Sequence, residues 1–211
     1  MGEYNLLSRT KKALERNQFK VLVASSKEDT VNKVLELIPI NAKVGVGGSM
    51  TIRELGLIEA LTSRGNRVVH HWQPDMPVSD WLPFMMEAHN SDVFLCSSNA
   101  VTEDGKLVNA DSTGNRVASM IFGPKKVIMI AGKNKIVKDV DAGLKRLKRV
   151  AGPLNAKRHN FVELPCVSTG LCTECDSPKR ICRVITILER APNRVRDPNI
   201  TVVLVAEDLG F

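Results

Sequence analysis

Apolar residues along this chain fall into two patterns that take turns: helical spacing in some stretches, short unbroken runs in others. Residues 4–18 carry Leu6, Leu7, Ala13 and Leu14 at helical spacing, and Phe19–Ala24 then reads as a short buried strand. A helix over 27–38 sets Val31, Val34, Leu35 and Ile38 on one face. Lys43–Val46 reads as a strand, followed by a helix from Met50 to Thr62 in which Thr51 and Glu54 fit a capping box. The pattern continues with a strand over Arg67–His71, a helix over Ser79–Ala88 and a buried strand over Asp92–Cys96. A hairpin turns at Glu103-Asp104-Gly105 between Val101 and Leu107–Val108. Thr113–Phe122 is helical, Lys126–Ala131 is the most apolar strand, Ile136–Val150 a long helix and Ile200–Val205 the last strand.

Strands separated by helices of about 10–15 residues imply a mostly parallel sheet covered on both faces, so an α/β domain. No internal repeat or low-complexity stretch interrupts it. The composition changes only over 151–199, where Pro, Cys and Arg replace periodic apolar residues. The chain therefore reads as a single domain over 1–211, with 151–199 as a loop-rich, cysteine-bearing segment.

Composition narrows the function class. At 43% hydrophobic and 25% charged residues, the 211-residue chain has the make-up of a soluble globule. No apolar run approaches the roughly 20 residues of a membrane span. The start of the chain has no apolar signal core, so the expected setting is a reducing cytoplasm. A net charge of +7 raises the question of a nucleic-acid partner. Against one, the basic residues are dispersed and aromatics are only 4%, too few for stacking platforms. The densest cluster, Lys145, Arg146, Lys148 and Arg149, alternates with Leu144, Leu147 and Val150 as the solvated face of an amphipathic helix. Small anionic ligands, or a bound centre of negative charge, would use the surplus equally well.

Four of the five cysteines, Cys166, Cys172, Cys175 and Cys182, fall within seventeen residues at the spacing C-x5-C-x2-C-x6-C. Thiolates this close can surround one metal centre, and Pro165, Gly170 and Pro178 let the backbone loop around it. Zinc sites of four cysteines usually present two C-x2-4-C knuckles, whereas here one knuckle has a single cysteine on each side. That irregularity is closer to what a cubane iron–sulfur cluster accepts, although it matches neither common ferredoxin pattern. Zinc, disulfides and reduced thiols packed as small apolar residues are the alternatives.

Two loops that follow strands are candidate anion sites. The first, Gly45-Val46-Gly47-Gly48-Ser49-Met50-Thr51, combines close backbone approach with the free N–H groups of a helix start. It is neither G-x-G-x-x-G nor a P-loop, and a tight turn capped by Ser49 or Thr51 accounts for it as well. The second runs Asn109-Ala110-Asp111-Ser112-Thr113-Gly114-Asn115-Arg116, with Ser112 or Thr113 as a plausible cap. Asn109 and Asp111 exceed what capping needs, and Arg116 is placed to clamp a carboxylate or phosphate. Gly47, Gly48, Ser49, Asn109, Asp111, Thr113, Gly114 and Arg116 thus form the predicted ligand set.

The stretches GVGGSMTIRELGL (45–57), SDVFLCSSNAVTEDGKLVNADSTGNRVASMIFGPKKVIMIAGKNKIV (91–137) and VLVAEDLGF (203–211), with PCxxTGxCxxC, resemble the LUD domain, the lactate-utilisation protein family. The resemblance spans nearly the whole chain. It implies a three-layer α/β/α fold of the type shared by glucosamine-phosphate deaminase, ribose-phosphate isomerase and CoA transferases. Some members are subunits of an iron–sulfur system that oxidises lactate to pyruvate. In the wider superfamily, methylthioribose-phosphate isomerases and related initiation-factor subunits carry a segment similar to SSNAVTEDGKLVNADSTGN. The catalytic Asp of that segment would fall at Asn99 and its Lys at Ala110, so isomerase chemistry is not expected here. CoA transferases need a nucleophilic Glu, for which Glu103 is the nearby candidate and a turn-flanking surface residue the plainer reading.

Other candidates are few. His71 and Trp72 follow a strand end and could line a crevice, while Cys96 closes an apolar strand as a core thiol. Asp75 and Asp80 sit in a connector with no assigned role. Two readings result: a redox protein that binds a small organic acid and carries an iron–sulfur centre, exchanging electrons within a homo-oligomer or with a partner protein, or a non-redox ligand-binding or transferase module whose metal staples 151–199.

Overall fold

A computed structural model describes residues 2–72, 76–192 and 199–211, so Asp75 lies outside the described residues. In chain order the helices are α1 (Gly2–Arg16), α2 (Lys27–Leu37), α3 (Met50–Glu54), α4 (Leu57–Ser63), α5 (Trp81–His89), α6 (Asn115–Ile121), α7 (Val140–Arg146), α8 (Gly152–Arg158) and α9 (Pro165–Thr169). The strands are β1 (Lys20–Ala24), β2 (Lys43–Val46), β3 (Arg67–Val69), β4 (Val93–Cys96), β5 (Ala100–Thr102), β6 (Leu107–Asp111), β7 (Lys126–Gly132), β8 (Ile136–Val137), β9 (Val184–Leu188) and β10 (Ile200–Val205).

Six strands form one parallel sheet in the order β1-β10-β7-β4-β2-β3. Strand β7 shows why both faces are covered. Val127, Met129 and Ala131 enter a core with Leu7 and Leu14 of α1, Ala88 of α5, and Val117 and Met120 of α6. Ile128 and Ile130 point the other way, toward Val34 of α2, Ile52 of α3, and Leu57 and Leu61 of α4. An apolar run at a period of two therefore feeds two cores at once. The result is the three-layer α/β/α architecture.

A second sheet, β8-β5-β6-β9, packs on the first of these cores through Val101, Leu107 and Leu188. Its opposite face, with Ala100 and Val108, is covered by Leu147 and Ala151. The β5–β6 hairpin turns at Gly105, whose φ of +88° suits glycine.

Three elements depart from the sequence expectation. The helix expected over Met50–Thr62 is broken in two by Gly56 at φ +62°. The capping box is not formed: Ser49 caps α3 through Ile52 N–H, while Glu54 Oε2 accepts Gly210 N–H at 2.8 Å. The long helix expected over Ile136–Val150 instead starts at Val140, and Leu147–Ala151 is a π-turn leading into α8. Within the cysteine-bearing segment 151–199 lie α8, α9 and β9, with turns and loops between them. Arg146 is buried and not on a solvated face, donating to the Asn99 carbonyl at 2.6 Å.

Proline explains how the cysteine segment attaches. In the π-turn Gly152 N–H bonds to Leu147 O, and Pro153, next in the same register, has no N–H for Lys148 O. That carbonyl accepts Cys172 N–H instead, at 3.2 Å.

Candidate functional site

Parallel strands place their C-terminal ends on one edge, so loops distant in sequence meet there. Arg116 is the meeting point. Its Nε donates to Asp111 Oδ1 at 2.9 Å, Nη1 to Ser97 O at 2.6 Å and Asn109 Oδ1 at 2.8 Å, and Nη2 to Asn99 Oδ1 at 2.8 Å and Ala110 O at 2.9 Å. A Cβ added at Gly47 would lie 3.1 Å from Arg116 Cγ, so that glycine permits the approach of the first loop. All five N–H donors of Arg116 are thus engaged by the protein, and the guanidinium binds the loops together instead of standing free to clamp a ligand.

Asp111 also has a structural task, since its Oδ2 accepts Val117 N–H at 3.0 Å. Neither Ser112 nor Thr113 caps α6: the cap position is Gly114, and Thr113 Oγ1 donates to Asn115 Oδ1 at 2.7 Å. Gly48 is exposed beside His71, whose ring atoms lie 4.0 Å from its Cβ position, while Ser49 is buried. Helices α3 and α6 span only five and seven residues, so their dipoles lend little to either loop. Asn109, fully buried, has an amide Nδ2 without a hydrogen-bond partner. An orphaned buried donor calls for an acceptor that is not part of the chain.

The sequence reading missed Lys135, which follows β7 at the same edge. Its Nζ stands 2.8 Å from Thr51 Oγ1 and 2.8 Å from Ser97 Oγ, at 2% exposure and, among the described residues, with no carboxylate bonded to it. Burial first, then repulsion from Arg146 and Arg116, pulls its pKa from 10.5 down to about 7, against an upward pull from Glu54. A neutral amine that gives two hydrogens to two hydroxyls keeps a lone pair, so it is equipped to take a proton or attack a carbonyl. The available signal was a lysine just past the end of the most apolar strand.

The lowered pKa has a stability consequence with a definite sign. Between pH 7 and 10.5 the unfolded chain holds a proton on Lys135 that the folded chain has released, so folding stability rises with pH across that window. Lys135→Met is expected to flatten that rise in urea titrations run from pH 7 to 10. An unchanged slope would show that the amine titrates normally.

The four clustered cysteines line one cavity with Ala110, Leu144, Leu147, Leu164, Arg180 and Ile185 among its walls. All are free thiols, and so is Cys96, which is buried in the core with its pKa pushed up to about 12 by that burial. Burial raises the pKa of Cys166, and the nearby charges of Cys172, Cys175 and Cys182 raise it further. Arg180 faces Cys182, Cys175 and Cys172, and spans the loop by donating to the carbonyls of Cys182 at 3.1 Å and Cys175 at 3.2 Å. Cys172 Sγ accepts Glu174 N–H at 3.3 Å. Among the described residues, no three His, Cys, Asp or Glu side chains stand ready-made around a point. The donor set still suits a soft metal centre: four thiols, a cation beside them and a backbone N–H on one sulfur.

One strand separates the two regions. On β6, Ala110 faces the cysteine cavity while Asn109 and Asp111 face Arg116. Strand β9, two residues beyond Cys182, pairs with β6 so that Asn109 opposes Thr186 and Asp111 opposes Val184. Elsewhere, Glu103 pairs with Arg9 at 3.2 Å on the surface and takes no part at the sheet edge.

The LUD domain family matches residues 7–205. The crystal structure of a DUF162 family protein from Deinococcus radiodurans is similar over 97% of this chain and 98% of that one, with 13% identity and a TM-score of 0.55. At that identity the likeness concerns the fold. No curated protein matches the chain. Among the described residues no helix is long and apolar enough to cross a membrane.

Proposed function

Because the chain belongs to the LUD domain family, the lactate-utilisation type, we propose that it binds a small organic acid at the Arg116 sheet edge and serves redox metabolism through an iron–sulfur centre held by Cys166, Cys172, Cys175 and Cys182. The observation that carries this reading is the convergence of all four thiols on one cavity whose wall, Ala110, is the reverse of the strand bearing Asn109 and Asp111.

The chain's own residues divide the work. Arg116 fixes the two loops, Asn109 Nδ2 offers a donor to the acid, and the Lys135 amine is a proton acceptor at the same edge. The net charge of +7 favours an anionic ligand and an anionic centre alike. When bound, the centre would supply electron transfer, with Arg180 and the Glu174 N–H adjusting its potential through charge and hydrogen bonding to sulfur. An electron-transfer partner, or a second copy of the chain, would complete the exchange.

Anaerobic purification followed by iron, sulfide and zinc analysis tests the proposal. About four irons per chain are expected, with visible absorption that bleaches on reduction. A colourless protein holding one zinc, or no metal, would overturn the redox reading in favour of a stapled or thiol-packed module.

A further inference from the structure

Beside Gly48, cations and aromatic rings collect with no carboxylate paired to them among the described residues. Arg53 Cζ lies 4.6 Å from the Trp72 ring centroid, and Arg158 Cζ lies 5.9 Å from the same centroid. His71 packs against Trp72 at 5.4 Å and Trp81 at 4.8 Å, and His159 lies 6.3 Å from Trp81. Arg158 Nη2 is 2.6 Å from His159 Nε2. A Cβ placed on Gly48 would touch Trp72 at 3.6 Å, so the glycine-rich loop forms one wall of the cluster.

These groups come from α3, from the segment after β3, from the start of α5 and from the end of α8. Among the described residues neither Arg53 nor Arg158 makes an ion pair. The indole N–H groups of Trp72 and Trp81 are buried without an acceptor. Burial first, then the charges of His70, His159, Arg158 and Arg53, pushes the His71 pKa down to about 4. His159 is likewise pushed to about 4 by burial and then by Arg158 and Arg53. Among the described residues no carboxylate opposes these shifts at either ring. Arg158 Nε and Nη2 reach the neutral Asn155 Oδ1 at 3.2 and 2.8 Å, so among the described residues two guanidiniums without a carboxylate partner and two buried indole N–H groups without an acceptor are gathered in one place, an arrangement that suits an anion.

We propose that Arg53, Arg158, His71 and His159, together with Trp72 and the Gly48 loop, form a subsite for the phosphate group of a ligand. Two guanidiniums with no carboxylate partner among the described residues match the −1.5 to −2 charge that a phosphate monoester carries near neutral pH, which a single carboxylate does not. The subsite rests on the reading of the Gly47–Ser49 loop as ligand-facing, and needs nothing from the cysteine cavity.

The protein has two tryptophans, Trp72 and Trp81, and both belong to this cluster. Intrinsic fluorescence of the full chain therefore reports on it directly. Titration with inorganic phosphate and pyrophosphate, at constant ionic strength, is expected to change the emission saturably. Arg53→Gln and Arg158→Gln should each weaken pyrophosphate binding at least tenfold, while Arg67→Gln, at an exposed site, should leave it unchanged. Arg53 is exposed, so its variant keeps the fold; the NMR signals of His71 and His159, shifting with pyrophosphate in the unaltered protein, provide a second measure. Absence of a saturable change, or equal affinity in both arginine variants, overturns the subsite. Lactate or pyruvate binding with no phosphate binding would also overturn it while leaving the proposed function standing, and a protein without iron that binds pyrophosphate would do the reverse.

Discussion

Urea denaturation of Arg116→Ala should show a loss of about 3–5 kcal/mol, the cost of removing one partner from a buried ion pair. The guanidinium is 6% exposed, and its removal strands the Asp111 carboxylate, the amide oxygens of Asn99 and Asn109, and the carbonyls of Ser97 and Ala110. Water cannot reach them all, so the loss exceeds what a surface ion pair would give. Arg116→Lys should recover little, because one ammonium cannot span acceptors set out for a planar fork. A loss below about 1 kcal/mol would mean that the loops are held by something else.

Cys172→Ser and Cys175→Ser should each remove all bound iron from anaerobically prepared protein. Serine is a poor substitute because the soft thiolate, not the hydroxyl, is the ligand such centres require. The α/β sheet is remote from this loop in its packing, so far-UV circular dichroism should be nearly unchanged. Limited proteolysis should instead cut the variants sooner between residues 171 and 182, where order depends on the centre. Full iron content in either variant would exclude that cysteine as a ligand.

The sheet was legible in the sequence because buried parallel strands leave dense apolar runs. Lys43–Val46 and Ile200–Val205 were bounded correctly, and β7 missed only its last residue, Gly132. Strand β9 is not evident from the sequence although Val184, Ile185, Thr186 and Ile187 are a β-branched run before Leu188, because the surrounding Pro and Cys residues suggest loop. The break at Gly56 depends on a left-handed backbone that helical periodicity does not reveal. At the site, clustering made the cysteines visible, since their spacing is local. The roles of Arg116 and Lys135 were not visible, because both are set by partners from other strands' loops: Ser97 for each, with Asn109 for one and Thr51 for the other. The Arg53–Trp72–Arg158 cluster joins three separate regions and was equally hidden.

The position of β10 has a kinetic meaning. This strand is late in the chain yet enters the sheet between β1 and β7, pairing Leu22 with Val203 on one side and Ile130 with the same residue on the other. Until it arrives, β1 lacks its partner in the sheet and β7 exposes an apolar edge. Closing that gap joins opposite ends of the sequence, so the search is long and the folding of the sheet should be slow for a domain of this size. The cysteine segment comes before β10, and is therefore made while the six-stranded sheet is still open.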